Sequence, residues 1–222
     1  MQQYHLIDAP SPAAVAASYE TLLRAADSLR ALLTRDHDPD WYGRQPFFRP
    51  GVSRTAVHHA AIDIMTSRPP DEVLITGETE HYLQRWHIVR DPARGHVYLH
   101  RFLRSDDRDR GLHCHPWDHV SWLLFGSYIE LWDTHRTSPA KRISECARSR
   151  HSTGEVIWRR AEVRHLFELP AAGELPITLF VTGPRTRDWG FWPDGLFTPF
   201  HDPDSHSRTT GTSPSGAAGL SA

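Results

Sequence analysis

The chain has 222 residues, a formal net charge of −2 and 23% charged residues, a balance that leaves no electrostatic footprint for nucleic acid. No apolar run approaches the roughly 20 residues of a membrane span, and the N-terminus MQQYHLIDAP lacks the basic-then-apolar order of a secretory signal, so a soluble cytoplasmic protein is expected. Cys114 and Cys146 are too few for a disulfide framework and are expected to be free thiols.

In residues 11–34, Val15, Tyr19, Leu22, Leu23, Ala26, Leu29 and Leu33 recur at spacings of three and four. With Ser11 as N-cap and Pro12 in the first turn, this predicts an amphipathic helix that packs on the rest of the chain or on a partner subunit. Residues 36–51, dense in Pro, Gly, Asp and aromatics, read as a loop anchored by Trp41, Tyr42, Phe47 and Phe48. A shorter helix is expected over 53–66, ending before Pro69 and Pro70; its adjacent His58 and His59 point to different faces and make a poor shared metal site.

Beyond the prolines the periodicity changes to short apolar runs at 73–76, 81–89, 96–103, 120–125, 128–132, 143–146, 156–158, 166–169 and 177–181. The second and third are separated by the turn sequence DPARG, which predicts a β-hairpin, and the series as a whole predicts a sandwich or barrel. Residues 182–200 concentrate Trp189, Phe191, Trp192, Phe197 and Phe200 with Arg185 and Arg187. They read either as a cover over the mouth of the fold or as a latch on the N-terminal helix, the latch being favoured. The tail, 202–222, is low-complexity and nearly without apolar residues, and disorder is expected there.

The stretch 111–126, GLHCHPWDHVSWLLFG, sets His113, His115 and His119 within seven residues. Imidazoles two apart on an extended chain share a side and can share one metal ion. Because the chain holds 16 histidines, the H-x-H pair has weight only in conjunction with Gly126, the apolar run around it, and Gly154 and His165 downstream.

These residues resemble the two motifs of the cupin superfamily, G-x5-H-x-H-x3/4-E-x6-G and G-x5-P-x-G-x2-H-x3-N. His113, His115 and Gly126 match the first, with His119 where the family has Glu and only Gly111 near the upstream glycine. Gly154 and His165 match the second, with Arg160, Glu162 and Leu169 replacing its Pro, second Gly and Asn. The resemblance spans residues 73–191. It implies a mainly β fold, a cupin-type double-stranded β-helix (jelly-roll barrel) with an N-terminal helical extension. The division expected is a helical extension over 1–70, a cupin barrel over 71–200 and a tail over 201–222. A homodimer is a common assembly in that family.

The candidate metal ligands are His113, His115, His119 and His165, with Asp118 the alternative to His119. Alternation favours His119, but Pro116 interrupts the ladder and shifts parity. Cys114 falls on the opposite side and is expected to be packed rather than ligating. Neutral imidazoles suit Fe(II), Zn(II), Cu(II), Ni(II) or Co(II) over the hard, oxygen-seeking Mg(II) and Ca(II). On the strand before the motif, His100 is a candidate acid–base or supporting group and Arg101 a candidate substrate anchor, with Tyr98, Arg185 and Trp189 as candidate substrate contacts. The expected function is a mononuclear metal enzyme with Fe(II) as first choice, a non-haem oxygenase (dioxygenase) joining dioxygen and a small organic, anionic substrate. A metal-dependent isomerase, cyclase or lyase and a non-catalytic ligand-binding cupin are the alternatives.

Overall fold

The computed structural model describes residues 9–34, 51–76, 80–133, 142–170 and 174–200. The expected loop at 36–51 and the expected tail therefore lie almost wholly outside the described residues. Helix α1 (Pro12–Leu33) and helix α2 (Arg54–Ser67) open the chain. Each begins where a serine satisfies an orphan amide: Ser11 Oγ accepts from Ala14 N and Ser53 Oγ from Ala56 N, both at 3.2 Å. Among the described residues no helix is long and apolar enough to cross a membrane.

The strands are β1 (Glu72–Thr76), β2 (Glu80–Val89), β3 (Val97–Phe102), β4 (Leu112–His113), β5 (His119–Phe125) and β6 (Ser127–Asp133). They continue as β7 (Ala147–Ser152), β8 (Val156–Arg159), β9 (Arg164–Glu168), β10 (Ile177–Thr182), β11 (Gly190–Trp192) and β12 (Thr198–Pro199). They form two six-stranded sheets, ordered β1-β2-β3-β10-β5-β8 and β12-β11-β4-β9-β6-β7. Every pairing is antiparallel, and among the described residues none joins the two sheets into a closed barrel.

The expected hairpin is β2–β3, its turn held by Asp91 Oδ1, which accepts from Ala93 N and Arg94 N at 3.0 Å. Gly126 sits between β5 and β6 at φ 78°, and a Cβ there would meet Glu174 O at 2.8 Å, so this motif position admits only glycine. Gly154, at φ 99°, turns β7 into β8.

Two expectations need correction. Residues 143–146 form a 3₁₀ turn (Ile143–Glu145), because their apolar side chains cover the outer face of the second sheet; the strand follows as β7, whose sequence ARSRHS carries no apolar alternation. Residues 182–200 are not a latch on the N-terminal helix. They supply β11 and β12, which extend the second sheet from β4, whereas α1 packs on β10, β5 and β2 of the first.

The apolar core lies between the helices and the first sheet. Leu22, Ala26 and Leu29 of α1 and Val57 and Ile64 of α2 meet Trp86, Val97, Leu99, Val120, Leu124, Leu179 and Val181. Alternation sends the intervening residues Tyr98, His100, His119, Ser121, Thr178 and Arg159 to the other face, towards the second sheet, where all are buried. The space between the sheets is therefore polar and aromatic.

Candidate metal centre

His113 ends β4 and pairs in register with His165 on β9. After β4 the chain leaves the second sheet, passes through Cys114–Asp118, and enters the first sheet at His119. Pro116 and Pro-adjacent residues break the single extended strand that the H-x-H spacing suggested, yet the imidazoles still converge. His113, His115 and His165 each offer a ring nitrogen, and all three lie within 4.8 Å of one another. His115 Nε2 and His165 Nε2 are 2.9 Å apart.

That spacing suits a metal. Two imidazole nitrogens on adjacent positions of one ion, each about 2.1 Å from it, stand roughly 3 Å apart. The tautomers agree as well. His165 Nδ1 lies 2.7 Å from Glu130 Oε1, so the proton belongs on Nδ1 and the Nε2 lone pair faces the other two rings. His113 Nδ1 stands 3.7 Å from Asp106 Oδ2.

Burial sets the charge state of this cluster. The pKa of His113 and of His115 is held well below the ordinary 6.5, by desolvation first and then by the neighbouring histidines. His119 is lowered in the same way. All three are neutral near pH 7, the form in which an imidazole can ligate.

Behind the triad lies a network for which no sequence pattern gives notice. Glu130 on β6 is buried, accepts from Arg159 Nε at 3.0 Å and through a second, very short contact with Arg159 Nη2, and meets His151 Nε2 at 2.8 Å. His151 Nδ1 reaches Glu155 Oε2 at 3.0 Å. Desolvation alone would raise the Glu130 pKa, but Arg159, His151 and His165 hold it well below the ordinary carboxylate range. Asp106 makes a short hydrogen bond to the Tyr82 hydroxyl and accepts from Phe167 N at 2.7 Å. Burial still pushes its pKa up to about 6.

The remaining candidates divide. His119 is buried, with its ring 4.5 Å from that of His115 and stacked 4.8 Å from Phe180, but it falls outside the 4.8 Å set and its Nδ1 has no hydrogen-bond partner among the described residues. Asp118 turns to the backbone instead: its Oδ1 accepts from Ala161 N at 2.7 Å. Cys114 is buried against Trp192, and burial raises its thiol pKa.

His100 and Tyr98 face the space between the sheets, with rings 5.5 Å apart, and His100 Nε2 accepts from Arg85 Nε at 3.0 Å. Arg101 does not reach that space. Alternation places it on the opposite face of β3, exposed, beside Gln84, Trp86 and Met65. Arg185 is exposed and paired with Asp188 at 2.9 Å, away from the triad. Trp189 stacks on Phe200 at 4.3 Å and adjoins Phe191, whose ring is 6.0 Å from that of His113.

No family model matches the chain, and no curated protein matches it. Solved structures with some likeness include the DMSP lyase DddQ from Ruegeria pomeroyi DSS-3, at 12% identity and TM-score 0.48 over 84% of this chain and 100% of that one. An Fe(II) HppE complexed with substrate is 17% identical, TM-score 0.38, over 52% of this chain and 58% of that one. A Cupin 2 conserved barrel domain protein from Leptotrichia buccalis is 16% identical, TM-score 0.34, over 48% of this chain and 44% of that one. The chain thus spans less than two thirds of the last two. At these identities and scores no activity carries over, and the centre stands on its own geometry.

Proposed function

We propose that the chain is a mononuclear metal-dependent enzyme on a cupin-type jelly-roll scaffold, a non-haem Fe(II) oxygenase acting on a small organic substrate. One observation carries this reading: three imidazoles, delivered by β4, β9 and the crossover between the sheets, present donor atoms within 4.8 Å of one another in a half-buried site. His113, His115 and His165 would hold the ion, with His119 the nearest further imidazole.

When bound, a divalent transition metal supplies Lewis acidity and positions for exogenous ligands, and as Fe(II) it adds one-electron chemistry with dioxygen. The chain's own residues do the rest. Glu130 orients His165 by holding the proton on Nδ1. Arg159 and His151 fix Glu130 in turn, so the ring is held by a hydrogen bond to an anchored carboxylate. Trp117, stacked 5.0 Å from His115, and Phe180, 4.8 Å from His119, wall the site with aromatic surface and exclude bulk water.

A second reading, metal-assisted isomerisation or elimination without oxygen, draws support from the Tyr82 hydroxyl and Asp106 carboxyl beside His113. That pair can move a proton without redox chemistry. The test is anaerobic reconstitution with Fe(II) followed by oxygen-uptake measurements over a panel of small organic acids. Uptake that vanishes in His115→Ala and His165→Ala is expected. Turnover with Zn(II) in the absence of oxygen would replace the first reading with the second.

A further inference from the structure

The inner wall of the first sheet carries a second set of polar groups that the metal centre does not use. Arg85 on β2 stands in register with His100 on β3, and His100 with Thr178 on β10. The Arg85 guanidinium lies over the Tyr98 ring at 4.7 Å and donates from Nε to His100 and from Nη1 to Glu72 Oε2 at 2.9 Å. Among the described residues these are its hydrogen bonds, and they engage two of the five N–H donors of a guanidinium. From His100 the wall runs through Phe180, 4.9 Å away, to His119 and His115, 4.8 and 6.1 Å beyond that ring.

Two polar atoms on the same wall lack partners although their residues are buried: Thr178 Oγ1, on a side chain 1% exposed, and His119 Nδ1, on one 3% exposed. Unmet polar atoms in such a place mark where a polar ligand makes its bonds. The carboxylates facing this space already have hydrogen-bond partners. Glu130 is matched by Arg159 and by His165, and the Asp106 carboxyl is engaged by Tyr82 and Phe167 N. Glu72 is half-buried at the rim, where Arg85, Arg90 and His87 all approach it. Imidazole ligands would leave the charge of a divalent cation held among them without a compensating carboxylate.

We propose that Arg85 anchors the carboxylate of a small organic acid on this wall, while His119 and Thr178 meet the polar atoms nearer the metal. The planar guanidinium fork matches a carboxylate, and its place over Tyr98 orients it. Glu72 competes for the same fork and sets the affinity from the rim. This deepens the metal-centre reading by naming the substrate class, yet Arg85 can be tested without metal.

The probe is trifluoroacetate, followed by ¹⁹F NMR on the full chain, both metal-free and Zn(II)-loaded, with metal content read separately by elemental analysis. Arg85→Gln is expected to weaken binding roughly tenfold or more at unchanged metal stoichiometry. Glu72→Gln, which frees the fork at the rim, is expected to tighten it several-fold, and this opposite effect stands even if Arg85→Gln folds poorly. Neutral trifluoroethanol should not compete. The proposal is overturned if the wild type does not bind the probe, or if binding is indifferent to both substitutions. Binding that needs Zn(II) but ignores Arg85 leaves the metal centre standing and removes this anchor. Binding through Arg85 in a protein that takes up no metal does the reverse.

Discussion

The first sheet has two faces with opposite chemistry on the same strands. Towards α1 and α2, β3, β5 and β10 present Val97, Leu99, Val120, Trp122, Leu124, Leu179 and Val181, an almost wholly apolar cluster. Towards the second sheet the alternate residues are Tyr98, His100, His119, Ser121, Thr178 and Phe180. The helix side removes apolar surface from water and supplies most of the driving force for folding. The inner side buries imidazoles, a guanidinium and a carboxylate, which cost desolvation energy unless paired. The helical extension therefore does more than cover a sheet: it supplies the stability that lets the opposite face be polar.

Substitutions on the two faces should separate stability from metal binding. The largest effect is expected at the buried network. Glu130→Leu leaves Arg159 without its carboxylate and His165 without its orienting partner, and should cost about 3–5 kcal/mol in chemical denaturation together with most of the metal affinity. On the helix face, Leu124→Ala or Leu179→Ala should cost about 2–5 kcal/mol while metal stoichiometry by elemental analysis stays at the wild-type value. If either apolar substitution empties the site, the two faces are not independent.

His165→Ala should abolish metal binding in a calorimetric titration while lowering metal-free stability far less than Leu124→Ala does. Equal losses of stability would show that the triad is a structural cluster. Acid should also act on the inner face first. His100, His113, His115 and His119 all have pKa values held well below 6.5, chiefly by burial. The unfolded chain takes up those protons as pH falls past 6.5, while the folded one does not. Metal-free stability is thus full above 6.5 and declines below it.

Asp106 runs the other way. With its pKa raised to about 6, its contribution is full below the ordinary 3.8 and lost as pH rises through 6, so Asp106→Asn should steepen the acid decline seen in melting curves. The smallest change is expected for Thr178→Val. Removing a buried hydroxyl without a partner should leave the metal-free protein as stable as before or slightly more so.

The sequence reveals the two faces unevenly. The capped helix, the hairpin and His113, His115 and His165 are readable because apolar spacing and ligand spacing both leave marks in the order of residues. Glu130, Arg159 and Arg85 leave none. Each is a charged residue on a strand outside any motif, and a charge in alternation reads as solvent-facing unless the other side of the sheet is known to be covered. Here the helices cover the outer face of the first sheet, which turns the polar alternates inward. The same ignorance of sidedness left Arg101 a candidate anchor and left Arg85, which stands opposite His100 one strand over, unmarked. β7 escapes notice because its sequence carries no apolar alternation, and backbone pairing with β6 and the buried His151 hold it instead.

Between His113 and His119 the chain leaves one sheet and enters the other within five residues. Separating the sheets would therefore pull His115 away from His113 and His165. An ion bound to all three would act as a clasp across the seam, converting occupancy of a small site into resistance of the whole sandwich to breathing. Amide exchange should slow on loading not only beside the triad but also along β8 and β7, the strands at the far edges of the two sheets.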